Sequence, residues 1–73
     1  MVKSMTKDER MIAFGRRVRE IRESKKISQE KLAEMANIDR SYMGNIERGE
    51  KNITLKKVYD ICDALEVVVY DLV

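Results

Sequence analysis

At 73 residues, 44% apolar and 38% charged, the chain has the make-up of one small globular domain with a heavily charged surface. It has no His and a single cysteine, Cys62. An internal disulfide, a metal-ligand cluster and an acid–base or nucleophilic constellation are therefore excluded, so neither an enzyme nor a cofactor is expected.

The net charge of +2 hides an asymmetry. Residues 1–57 hold all fifteen Lys and Arg against nine acids, a net +6, whereas residues 58–73 hold four acids (Asp60, Asp63, Glu66, Asp71) and no base. A basic body with an acidic, apolar tail suggests a polyanionic partner on one side and a separate task for the tail. No stretch is long and apolar enough to span a membrane, and the opening MVKSMTKDER lacks the apolar run of a signal peptide. The expected compartment is the reducing cytoplasm.

In chain order, Met11, Phe14, Val18 and Ile21 recur with the rhythm of an amphipathic helix, predicted from Lys7 to Ser24 with Lys25 and Lys26 ending it. Ser28 is a good N-cap for a second helix, with Gln29 and Glu30 in its first turn and Leu32, Ala33, Met35 and Ala36 at its apolar positions. Asn37 tolerates the left-handed conformation that stops a helix. Asp39 can cap a third helix, Arg40 to Arg48, which Gly49 terminates. After a loop anchored by Ile53, Thr54 caps a fourth helix, Leu55 to Leu65, whose inward stripe is predicted to be Leu55, Val58, Ile61, Cys62 and Leu65. The end, EVVVYDLV, reads either as a short helix or as an extended segment, since consecutive Val favour strand. Buried in this pattern, Cys62 is expected to act as a small core hydrophobe.

The second and third helices are joined by a turn of about three residues, NID, which is the helix-turn-helix arrangement. Ala33 supplies the small side chain needed where the two helices cross. Asn37 fills the slot that wants a positive φ, and Leu32, Ile38, Met43 and Ile46 close the shared core. With these slots filled, ISQEKLAEMANIDRSYMGNIERGEKNITLKKVYDICDALEV resembles the Cro and phage-repressor class of helix-turn-helix domains. Within that class, DRSYMGNIERGEKNITL is most similar to the controller proteins of restriction–modification systems.

The resemblance implies an all-α, lambda-repressor-like DNA-binding domain over residues 1–73: a compact bundle of four to five short helices. The motif would span 28–49, and 55–73 would complete the core and a dimer. The third helix would lie in the DNA major groove. Arg40 would read guanine with two parallel hydrogen bonds, with Ser41, Tyr42 and Asn45 as further readers, Tyr42 by packing on a thymine methyl. Gln29, Arg48, Lys51, Asn52 and, more remotely, Arg17 would hold phosphates. Glu47 would form a structural ion pair with Arg22. Leu65, Val67, Val68, Val69, Tyr70, Leu72 and Val73 are more apolar groups than a solvated end needs, and they would form the dimer seam.

The implied activity is transcriptional regulation by a homodimer on a palindromic operator in double-stranded DNA, in front of its own gene and an endonuclease gene. Glu30 and Glu34 would offer RNA polymerase an acidic patch. The alternatives are a prophage or plasmid repressor, an antitoxin, or a protein-interaction module that has lost DNA binding.

Overall fold

The computed structural model describes residues 7–72; the opening segment 1–6 and Val73 lie outside the described residues. Four α-helices follow in order: α1 (Lys7–Ser24), α2 (Gln29–Ala36), α3 (Arg40–Arg48) and α4 (Leu55–Leu65), with a 3-10 turn at Val69–Asp71. Their limits follow from local chemistry. The hydroxyls of Ser28 and Thr54 accept from the backbone N–H of Lys31 and Lys57, and the Asp39 carboxylate accepts from those of Ser41 and Tyr42. Each satisfies N–H groups that the first helical turn leaves unpaired.

The four helices end in one way. Lys26, Asn37, Gly49 and Glu66 all take positive φ, at 59°, 56°, 74° and 58°. Each lets the following N–H reach back to a carbonyl of the last turn, as Ile38 does to Ala33 at 2.8 Å and Val67 does to Cys62 at 3.0 Å.

One cluster forms the interior. Val18 and Ile21 of α1, Leu32, Ala33 and Ala36 of α2, Met43 and Ile46 of α3, and Ile61, Cys62 and Leu65 of α4 are buried together with Ile38 and Leu72. Helix α1 crosses α3 at Gly15. A β-carbon there would collide with the Ile46 carbonyl and lie 2.7 Å from that of Glu47. Two expected core positions face outward instead: Met35 is 46% exposed and Leu55 is 68% exposed. Ala33 and Ala36 already fill the close crossing of α2, and Leu55, in the first turn of α4, precedes the part that meets the core.

The tail takes the shorter of its two expected forms. A strand needs a partner for its backbone, whereas here the Asp71 carboxylate accepts from the Val68 N–H at 3.1 Å and closes a turn. Leu72 then enters the core, and the Asp71 carbonyl accepts from Nε of Arg17 on α1 at 2.6 Å.

Candidate nucleic-acid interface

Helix α3 presents a polar face because Arg40, Gly44 and Arg48, four residues apart, stack along it, with Ser41 and Asn45 beside them. Together with Gln29 at the start of α2, these five residues line a shallow depression of about 360 Å³. Opposite that face, Met43, Ile46 and Glu47 are buried. The helix is thus committed to the core on one side and open along the other.

A buried ion pair fixes the angle at which α3 stands. Nε and Nη2 of Arg22 donate to the two carboxylate oxygens of Glu47 at 2.7 and 3.0 Å, and Nη1 donates to the Ile27 carbonyl at 2.8 Å. Nε2 of Gln29 donates to Glu47 at 3.1 Å. One carboxylate therefore ties α1, α2 and α3 together. Hydrogen bonding to Glu47 holds the Arg22 guanidinium above its ordinary pKa, outweighing the opposing effect of burial.

The two arginines of the exposed face are each held by an acid. Nη1 of Arg40 lies 3.2 Å from Oε2 of Glu30 on α2. Nε of Arg48 lies 3.0 Å from Glu50, and Nη2 donates to the Asn45 side chain. By contrast, Lys51 is exposed in the following loop with no ion pair among the described residues, as is the side chain of Asn52. The Ser41 hydroxyl likewise makes no hydrogen bond among the described residues. A second small depression, of about 240 Å³, joins Lys51 to Arg10 across Met11, Phe14, Ile46 and Ile53.

Two expected contacts stand apart from the depression. Tyr42 is half-buried on the flank of α3. Its hydroxyl donates to the Asn52 carbonyl at 3.0 Å, and Nζ of Lys57 sits 5.4 Å from its ring centre. Arg17, expected at phosphate, is engaged elsewhere. Burial of Leu72 brings the Asp71 carbonyl against α1, and Arg17 holds it while also pairing with Glu20 at 3.5 Å. The expected dimer seam divides as well. Leu65 and Leu72 are fully or nearly fully buried in the chain's own core, and Val67 and Val69 pack against that core. Val68 and Tyr70, at 63% and 87% exposure, face out. Leu55 and Tyr59, a helical turn apart on α4, add an outward apolar pair.

The depression, the N-terminus of α2 behind it and the short left-handed turn between the helices form a complete helix-turn-helix. A family model described as Helix-turn-helix (HTH_3) matches residues 18–68. This chain belongs to that family. Its members are DNA-binding transcriptional regulators, and this helix-turn-helix chain is similar to several controllers. It is 45% identical to the control protein C.BamHI of Bacillus amyloliquefaciens over 93% of its own length and 84% of the relative's. The fold matches the crystal structure of the restriction–modification controller protein C.AhdI from Aeromonas hydrophila with a TM-score of 0.84 and 40% identity, over 86% of this chain and 96% of the other. An immunity repressor protein of Bacillus phage phi105 is 39% identical over 62 residues, but this chain spans only 43% of that repressor.

Proposed function

We propose that this helix-turn-helix chain is a homodimeric, sequence-specific regulator of the restriction–modification controller type. It would bind a palindromic operator and control its own promoter and that of an endonuclease from within the cytoplasm. The observation that carries the reading is the depression that gathers Gln29, Arg40, Ser41, Asn45 and Arg48 on one face. An α-helix fits the major groove, and this face supplies donors for base edges along its length. Arg40, Ser41 and Asn45 read bases. Tyr42 packs its ring on a thymine methyl, a contact that leaves its hydroxyl on Asn52. Arg48, Lys51, Asn52 and the N-terminus of α2 at Gln29 hold phosphates.

The dimer joins Val68 and Tyr70 of each copy, with Leu55 and Tyr59 as further contacts. Two-fold symmetry then places the two copies of α3 on half-sites about one helical turn, roughly 34 Å, apart. For RNA polymerase, α2 offers Glu34, whose carboxylate meets only Lys31, at 3.3 Å, among the described residues, whereas Glu30 is held by Arg40.

A salt titration on a candidate operator tests the reading. Several phosphate contacts require log affinity to fall linearly with log salt at a slope of about −0.9 per contact. A binding curve indifferent to salt, or no binding at all, would instead make the chain a protein-interaction module.

A further inference from the structure

Glu30 stands in the first turn of α2, and its Oε2 lies 3.2 Å from Nη1 of Arg40, the first residue of α3. The pair bridges the turn of the motif across ten residues of sequence. Each side chain is 70% exposed, so no buried charge is being neutralised, and a pair of this kind adds little to folding stability. Its effect falls on the guanidinium itself. Arg40 makes no other polar contact among the described residues, so Glu30 alone holds its side chain against α2.

We propose that Glu30 is a specificity-determining residue that acts through Arg40, orienting its guanidinium for a base edge and keeping it from phosphates. The inference rests on the regulator reading, with Arg40 as a base reader. Two physical effects lead to it. First, an arginine already held beside the groove face loses less rotamer freedom on meeting a guanine than one that sweeps through solvent. That gain belongs to the sequence offering a guanine in the right place. Second, a phosphate that approaches Arg40 also approaches the Glu30 carboxylate, and the two anions repel. That penalty falls on sequences where Arg40 has only phosphate to bind. Attraction for the right site and repulsion at the wrong ones together widen the difference from which specificity is made.

Lys51, a phosphate holder in the following loop, has no acid beside it among the described residues, in contrast to Arg40.

Glu30→Gln keeps the shape and removes the charge, and exposure of both partners leaves the fold intact, which a thermal melt verifies. Binding is measured to a duplex enriched from a random pool and to a scrambled duplex of equal length, and base preference is then scored position by position. The variant should bind the enriched duplex about threefold to tenfold more weakly relative to scrambled DNA. The loss of preference should be confined to one position in each half-site. In an Arg40→Ala background the same substitution should leave the ratio unchanged, because the residue it acts through is gone. An equal rise in affinity for both duplexes with preference intact would reduce Glu30 to a solvated acid and overturn the proposal while leaving the regulator reading standing. Equal losses on both duplexes for Arg40→Ala alone would remove the reader and the proposal with it.

Discussion

Arg40 and Lys51 carry the same charge but should fail differently. Arg40→Ala is expected to cost about 1–3 kcal/mol of discrimination at one position per half-site. Lys51→Ala should weaken all sequences alike and reduce the salt slope by about 1. Parallel titrations on specific and scrambled duplexes separate the two.

The Arg22–Glu47 pair is scaffold. With side chains only 10% and 3% exposed, removing one partner strands a buried charge, so Arg22→Ala should lose about 3–5 kcal/mol in denaturant unfolding. Because the pKa of the Arg22 guanidinium is raised, its contribution is fully present below the ordinary arginine range and is lost only as pH rises beyond it. Stability near neutrality should owe no pH dependence to this guanidinium.

Cys62 behaves differently. Burial, then Asp63 and Asp71, pushes its thiol above the ordinary value of 9.0. The folded state holds that proton more tightly than the unfolded one, so the thiol's contribution is present below pH 9.0 and fades above it. The stability advantage of wild type over Cys62→Ala should narrow in that alkaline range, as paired unfolding curves would report. At this scale the resemblance supplied the Arg22–Glu47 pair, but the sequence did not show what holds the exposed arginines. Nothing in the spacing of Glu30 and Arg40, or of Arg17 and Asp71, announces a contact, because both arise only when elements pack.

The helices themselves were largely legible, since caps are short-range chemistry. Ser28, Asp39, Thr54, Asn37 and Gly49 each do locally what their side chains or backbones favour. The ends after Ser24 and Leu65 were legible too, but the positive φ at Lys26 and Glu66 was not, because neither residue type favours it and tertiary packing of the following Ile27 and Val67 holds them there. Periodicity also overstated the core: Met35 and Leu55 fit an apolar stripe but lie beyond the area that the neighbouring helices cover.

The closest approach of α1 to α3 was invisible in the sequence, since one Gly between Phe14 and Arg16 carries no pattern. Gly15→Ala places a methyl against backbone carbonyls of α3 that cannot move as a side chain tip can. It should destabilise by about 1–3 kcal/mol or more. Gly44→Ala meets only the flexible ends of Arg48 at 3.2 Å and Gln29 at 3.4 Å, so it should be tolerated by the fold, gaining up to about 1 kcal/mol of helix propensity. Comparing the two melting temperatures tests the contrast.

For the whole molecule, the acidic tail foreseen from charge asymmetry does two jobs. It closes the core with Leu72 and, pinned by Arg17, presents Val68 and Tyr70 to the outside. The sequence could not separate these roles, because both need apolar side chains. Val68→Asp with Tyr70→Glu should leave helical content and melting largely intact, since both side chains are exposed. It should also shift the sedimenting species from dimer to monomer and weaken operator binding. A monomeric wild type would remove the seam from the account.

Whether a dimer reads a two-fold site is decided by selecting bound duplexes from a random DNA pool at near-physiological salt. Enrichment of a symmetric site is expected, with half-sites about one helical turn, or roughly 10 base pairs, apart. A folded protein that enriches no sequence, or only a single unpaired half-site, would contradict it.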